Sequence, residues 1–369
     1  MKYIVYICST LERTGPTSQL YNIISALNLE SYQAKVITLS PEKNNTLYDK
    51  FISSGIDVRC IDPDGKKNIN ELRELIIKLL VSDRVAVVHT QGIRADIIMS
   101  KAVKVLNVKW IATLRNIPYL DYPPQYGVFK GALMALLHLL SLRQCENVVV
   151  VSHAVKSVLK RFFKRDIHVI ANGIDTDYYS LDNISRDICE TLRKNYSFDI
   201  DTKLIVYTGV LEERKNIHMM LNVFEKLNDF KLLLIGDGSL MPMVKMHSAT
   251  LKGKVIPVGS VPDVRPYLAV ADSFILISKA EGLPNSVLEA LAMNVPSILS
   301  NIGPHLEIQQ SASSLVHIVD ISDENELSDF FGNAYDTWRD NIKNDACRIL
   351  AEKDFSSIIN SKNYQCLYQ

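Results

Sequence analysis

The stretch Glu281-Gly-Leu-Pro-Asn-Ser-Val-Leu-Glu289 sets two carboxylates seven residues apart around a Gly/Pro turn. Carboxylates accept hydrogen bonds from hydroxyls. Asn285 or Ser286 is placed to cap a following helix, and the first backbone N–H groups of a helix attract phosphate. Together these features suit a diphosphate flanked by polyols. A turn glutamate followed by a solvated helix glutamate would show the same spacing, so the motif needs company. Thr208-Gly-Val-Leu-Glu-Glu-Arg-Lys-Asn216 supplies it. Gly209 permits a tight backbone turn, Arg214 and Lys215 are cations of the kind a diphosphate needs, and Asn216 is placed to cap the next helix. Ile235-Gly-Asp-Gly-Ser239 is a third turn that admits close backbone approach, weak on its own.

The first half of the chain is less explicit. Thr14-Gly-Pro-Thr-Ser18 opens a helix, and Gly15 could let a ligand approach, but the run is not a G-x-G-x-x-G fingerprint and gives NAD little support. Asp62-Pro-Asp64 lies in a Pro/Gly turn and reads as a loop, not a metal site. His89 and His153 each end a strand, where a lone histidine is more often packed or capping than catalytic. The run Val155–Arg165 holds five cations, no acid and two aromatics. It suits an anionic membrane surface, or equally a surface helix whose Phe162 and Phe163 turn inward.

These loops need a frame to position them. Short β-branched runs at 3–8, 35–39, 57–61, 85–89, 110–114, 147–152 and 168–170 alternate with helical patterns at 18–26, 70–80, 94–106, 129–142 and 154–163. After a polar, unpatterned stretch from 175 to 202 the alternation restarts. Strands are predicted at 204–208, 231–235, 254–258, 273–277, 297–299 and 316–319, and helices at 217–227, 266–270, 286–292 and 324–338. Near-continuous apolar strands separated by helices predict parallel sheets covered on both faces, hence two doubly wound α/β domains with a cleft at the carboxyl ends of their strands. The last segment, 342–369, reads as helical.

Composition bounds the function. The 369 residues carry 41 Lys+Arg against 41 Asp+Glu, which disfavours a nucleic-acid-wrapping protein. That neutrality is a cancellation: residues 1–180 hold 23 cations and 16 acids, the remainder 18 and 25. No secretory signal is visible, and the apolar run 131–142 is shorter than the ~20 residues that span a bilayer. The six cysteines are scattered with no C-x-x-C pair. These features predict a cytoplasmic protein without structural zinc.

The loops together resemble the GT-B glycosyltransferases of family 4, the retaining group that uses nucleotide-sugar donors. EGLPNSVLEALA, residues 281–292, is similar to the family's E-x7-E donor loop, and Gly209–Asn216 to its G-R-L-x-x-x-K-[GN] loop. Asn172-Gly-Ile-Asp175 is similar to the N-G-[IV]-D crossover segment. Gly236-Asp-Gly238 and the terminal Asp354-Phe-Ser…Tyr364…Leu367-Tyr368 also have counterparts. The resemblance implies an acceptor-side domain over 1–174, a donor domain over 175–350 and a terminal helix, 351–369, crossing back to the first.

It also implies roles. Glu281 would contact donor-sugar hydroxyls and Glu289 the ribose. Lys215, with Arg214, would neutralise the leaving diphosphate, and the backbone of Leu283, Pro284, Asn285 and Ser286 would hold phosphate and sugar. Gly209 would shape the cation loop, and Gly15 would lie beneath the donor. No cofactor or metal is implied. The sequence departs from the family pattern at four positions: Val210 stands for the Arg of G-R-L, Arg115 for the histidine of T-x-H-[ND], Gln91 for the histidine two residues after His89, and Asn294 for the glycine of C-G-x-P.

The implied activity is sugar transfer, from a UDP-type donor, to a saccharide on a polyprenyl-pyrophosphate lipid in bacterial surface-polysaccharide synthesis. It would take place at the inner face of the membrane, with Lys156–Arg165 on the anionic lipid. A nucleotide-sugar epimerase or an inactive donor-binding subunit would share the same donor loops.

Overall fold

The computed structural model describes residues 2–196, 198, 201–251 and 253–369. They divide into two compact units, Met1–Gly173 with Ser357–Gln369, and Ile174–Ser356. Each is built on one all-parallel sheet. In the first, β1 (Lys2–Cys8), β2 (Tyr32–Thr38), β3 (Asp57–Cys60), β4 (Val87–Gln91), β5 (Lys109–Leu114), β6 (Asn147–Val150) and β7 (His168–Val169) take the order β3-β2-β1-β4-β5-β6-β7. In the second, β8 (Lys203–Thr208), β9 (Phe230–Ile235), β10 (Val255–Gly259), β11 (Ser273–Leu276), β12 (Ser297–Ser300) and β13 (Val316–Val319) take the order β10-β9-β8-β11-β12-β13. Chain order reverses beside β1 in one sheet and beside β8 in the other. Loops after β1 and β4, and after β8 and β11, therefore open at the switch points where doubly wound sheets bind ligands.

The strands form where the sequence predicted them, because helices cover both faces. All five residues of β4 are buried, as are the last five of β1 and of β8. Local signals fix several helices. Before Ile69–Ser82, the Asn68 side chain accepts from the N–H groups of Asn70 and Glu71, and Glu71 Oε2 accepts from Asn68 N at 2.7 Å, a complete capping box. Ser152 Oγ accepts from Val155 N and starts His153–Leu159.

Four expectations change. The stretch expected to be unpatterned from 175 to 202 contains the helix Arg186–Asn195, capped by Ser185 Oγ on Ile188 N; residues 197, 199 and 200 lie outside the described residues. That helix buries no side chain, so its polar sequence hid it. The basic run is not one helix: His153–Leu159 gives way to a 3-10 turn at Lys160–Phe162, with Phe162 and Phe163 packed against the core. The helical pattern at 324–338 is interrupted by a π-turn, Phe330–Ala334. Helix Ala346–Asp354 buries Cys347 and Ala351 in the second unit, so the chain rejoins the first at Ser357, not at 351.

The terminal helix Ser357–Tyr368 completes the first unit's core. Tyr364 and Tyr368 are fully buried. His89 Nδ1 lies 2.9 Å from Tyr368 Oη and its Nε2 2.8 Å from Thr113 Oγ1, so this histidine is a packed core residue. Burial, with the Arg115 charge adding to it, pushes its pKa down to about 3 and keeps it neutral. Asp62 is likewise structural, accepting from the backbone N–H groups of Lys66 and Lys67.

A helical hairpin, Pro118–Tyr126 and Val128–Leu142, covers one end of the same sheet. Gly127, at φ +87°, turns the chain between them. Gly131 lets them cross closely: a Cβ there would stand 2.4 Å from Pro123 N.

Candidate active site

At the switch point of the second sheet, the loops after β8 and β11 bring Glu281, Lys215 and Arg214 together. Lys215 Nζ donates to Glu281 Oε1 at 2.5 Å, and Arg214 Nη1 donates to Glu281 Oε2 at 3.0 Å and to the Ala280 carbonyl at 2.7 Å. Glu212 holds the other edge of the guanidinium, its Oε1 2.8 Å from Arg214 Nη2. The side chains of Glu281 and Lys215 are 9% and 11% exposed, whereas Arg214 keeps a third of its surface open. Burial alone would raise the Glu281 carboxyl; the charges of Lys215 and then Arg214 outweigh it and hold Glu281 below the ordinary carboxylate range. The cluster is thus one anion pinned between two cations.

The backbone makes this possible. Tyr207 Oη donates to the Val210 carbonyl at 2.8 Å, bending the loop back on β8. Gly236, after β9, passes so close that a Cβ would lie 1.9 Å from the Gly209 carbonyl oxygen, and one on Gly238 would lie 2.4 Å from that of Leu211. The third glycine turn is therefore a buttress for the Gly209–Asn216 loop. Lys279 N donates to the Arg214 carbonyl at 2.8 Å and ties this loop to the one bearing Glu281.

The helix Asn285–Ala292 follows. Its N-cap is Pro284, with no side-chain capping bond, so Asn285 and Ser286 are the first two helical residues and not the cap expected of them. Proline pre-sets the entry to the helix and leaves the positive end of its dipole without a capping side chain. Leu283 is buried beneath the turn. Asn216 stands at the N-cap of Ile217–Lys226 in a left-handed conformation, φ +58°, but its amide donates to Met219 Sδ and makes no cap. Glu289 lies one turn into its helix, partly open and hydrogen-bonded to the Tyr179 hydroxyl. Burial raises its pKa to about 7, against the Tyr179 bond that favours the anion.

His305 was not singled out from the sequence. It is fully buried near Glu281 and Lys215, whose charges act on it in opposite directions, and burial pushes its pKa down to about 4. Ser300 spends its proton on the Ser278 carbonyl, so His305 Nδ1 carries the hydrogen and donates to Ser300, leaving Nε2 a buried acceptor with no partner. Only its place after a strand could have flagged it.

Gly15 lies in the first unit, where it opens the helix Gly15–Ser25. Its neighbours Thr14 and Pro16 line a cavity of about 490 Å³ at that sheet's switch point, together with Gln91, Arg115, Tyr122 and His138. Arg115 reaches Gln91 Oε1 at 3.3 Å and also donates to Asn172 Oδ1. Beneath the wall runs a buried polar chain. Tyr122 Oη is 2.8 Å from His138 Nδ1, His138 Nε2 is 2.7 Å from Asp96 Oδ2, and Thr90 donates to Asp96 Oδ1. No cluster of three or more His, Cys, Asp or Glu able to hold a metal occurs among the described residues.

Residues 14–178 match Glycosyltransferase Family 4, and 202–331 match Glycosyl transferases group 1. The chain is 32% identical over 199 residues to the putative teichuronic acid biosynthesis glycosyltransferase TuaC of Bacillus subtilis, covering 53% of this chain and 48% of that one, so this match spans about half of the relative's length. It is 22% identical over 341 residues to the O-antigen biosynthesis glycosyltransferase WclY of Escherichia coli, covering 88% and 90%. A glycosyltransferase from Rickettsia africae superposes with a TM-score of 0.80 at 21% identity, covering 100% of this chain and 97% of that one. Anabaena HepE in complex with UDP-glucose also gives 0.80, at 15% identity over 100% and 99%. Two parallel-sheet units of GT-B type, a family 4 domain followed by a group 1 domain, make this chain a member of the glycosyltransferases.

Proposed function

We propose that this protein is a retaining glycosyltransferase. It moves a sugar from a UDP-type nucleotide-sugar to a saccharide carried on a polyprenyl-pyrophosphate lipid, in bacterial O-antigen, capsule or exopolysaccharide synthesis. The observation that carries the reading is the Lys215–Glu281–Arg214 cluster at the second sheet's switch point. As the bond from the sugar carbon to the diphosphate breaks, negative charge grows on the phosphate oxygen. Preorganised cations and the uncapped start of Asn285–Ala292 lower its cost there. With those cations in place the reaction needs no metal or cofactor. Glu281 orients both cations, and its remaining lone pairs are suited to donor-sugar hydroxyls; Glu289 is suited to the ribose. Arg214 is suited to supply the charge that Val210 does not.

The relatives named for O-antigen and teichuronic acid synthesis support a saccharide acceptor. The cavity of the first unit, lined in part by Gln91, Arg115, Asn116 and Gln125, is the place proposed for it. The exposed cations Lys160, Arg161, Lys164 and Arg165 support a peripheral place on the inner leaflet, and no helix is long and apolar enough to cross a membrane among the described residues. Incubation with UDP-sugars and a lipid-pyrophosphate saccharide tests the reading. Acceptor-dependent UDP release supports transfer. Conversion of UDP-GlcNAc without acceptor would mark an epimerase, and UDP binding with no turnover a donor-binding subunit.

A further inference from the structure

The outer face of the helical hairpin inverts the usual amphipathic rule. The residues of Val128–Leu142 that turn inward are Gly131, Ala135, Leu139, Leu142 and the polar His138. Those that face solvent are Phe129 at 93% exposure, Leu133 at 56% and Leu136 at 54%, with Leu137 and Leu140 also exposed. Positions 129, 133, 136/137 and 140 form one stripe along three turns, and Val128 and Tyr126 extend it at the tip. Scattered surface leucines need no explanation; a contiguous stripe marks an interaction face. It is not core left uncovered, because the inward side is fixed by the Tyr122–His138–Asp96 hydrogen bonds.

What covers it follows from charge. The helix carries no acid and one cation, Lys130. At its end Arg143 Nε donates to the Phe162 carbonyl at 3.1 Å, which holds the basic segment against the hairpin, and Arg161 stacks over Tyr119 with its carbon 5.5 Å from the ring centre. Lys160, Arg161, Lys164 and Arg165 are all exposed in that segment, Arg165 lying 3.3 Å from Glu146. An apolar ridge with a basic segment held at its end matches the boundary between acyl chains and anionic headgroups.

We propose that the hairpin lies in the plane of an anionic leaflet, with Phe129 and the leucines in the hydrocarbon and the cations on headgroup phosphates. The inference rests on the lipid-linked acceptor reading and deepens it. Tyr122, Gln125, Tyr126 and His138, from these same two helices, line the first unit's cavity. Docking therefore sets the rim of that cavity at the lipid surface, where a pyrophosphate-linked saccharide can enter while its lipid stays in the leaflet.

The test uses vesicles of phosphatidylethanolamine with phosphatidylglycerol and three variants of the full chain. A Phe129→Ser/Leu133→Ser variant should bind vesicles at least ~100-fold more weakly at low and high salt, because each residue lost from hydrocarbon is worth about tenfold. It should keep its circular dichroism and its turnover of a short-chain, water-soluble acceptor. Lys160→Ala/Lys164→Ala should weaken binding chiefly at low salt. In Phe129→Trp the new indole should be quenched by lipids brominated on the acyl chain. Undiminished vesicle binding by the serine variant, or a Phe129→Trp indole quenched only from water or hidden in a dimer of this chain, would overturn the proposal. Intact vesicle binding with transfer confined to soluble acceptors would support docking and overturn the lipid-linked reading instead.

Discussion

Lys215 Nζ and Glu281 Oε1 lie 2.5 Å apart, 66 residues apart in sequence, with about a tenth of each side chain exposed. The parallel sheet creates this contact by placing β8 and β11 side by side, so that the loops after them converge. In the proposed function this contact would hold Lys215 in place before a phosphate arrives and so remove reorganisation from the catalytic step.

Breaking the pair should be costly in two ways. Lys215→Ala leaves a buried carboxylate with Arg214 alone, and such losses destabilise by about 3–5 kcal/mol in urea unfolding. Glu281→Gln keeps the shape and removes the charge. Both should lower kcat/KM for the nucleotide-sugar ~100-fold or more, as loss of one preorganised charge partner does.

The same pair makes stability depend on acid. The folded pKa of Glu281 lies below its unfolded value, so its contribution is present at neutral pH and is lost as pH falls through the folded value. Thermal unfolding between pH 7 and pH 3 should show a smaller loss for Glu281→Gln than for wild type.

Glu289 predicts the opposite sign. With a folded pKa raised to about 7 it binds more protons folded than unfolded between about pH 4.5 and 7, so its contribution weakens as pH rises across that window. Hydrogen bonding of its carboxylate to ribose hydroxyls should strengthen over the same range. Tyr179→Phe removes the bond that favours the anion, so the rise in donor affinity, measured by calorimetry, should move to higher pH. Glu289→Gln should flatten it.

Gly236→Ala tests the buttress. The added methyl would meet the Gly209 carbonyl at 1.9 Å in a backbone with φ +135°, so the cation loop must shift. The donor KM should rise about tenfold or more while acceptor KM stays within twofold, given that small misplacements of positioning groups are felt strongly at the reacting centre.

Asp96→Asn tests the first unit in the converse way. Its amide would offer N–H to His138 Nε2, forcing the proton onto Nδ1 and reversing the bond to Tyr122 at the cavity wall. Acceptor KM should rise with donor KM unchanged, at a stability cost of about 1.5–3 kcal/mol for the lost charged hydrogen bond.

How much of this was legible follows from where the signals are local. Strands sheathed by helices declare themselves as apolar runs, so all 13 described strands overlap a predicted one. Glu281, Arg214 and Lys215 could be singled out because each lies within seven residues of a strand's end. The Glu281–Lys215 contact was not, because it depends on strand order. Nor was His305, whose importance comes from the burial and bonding that fix its tautomer. The basic segment read as one helix but stops at Leu159, and of its two readings the structure shows Phe162 and Phe163 turned inward. The more exposed apolar face was in Val128–Leu142, hidden from periodicity because that helix is apolar nearly all round. Its lack of any acid was the available clue.

The most direct measurement is UDP release from UDP-sugars in chelator-containing buffer, with and without a lipid-pyrophosphate saccharide, for wild type beside Lys215→Ala and Glu281→Gln. The account predicts acceptor-dependent release by the wild type without metal, retention at the transferred sugar's anomeric carbon, and a ~100-fold loss in both variants. Equal release by all three proteins would contradict it.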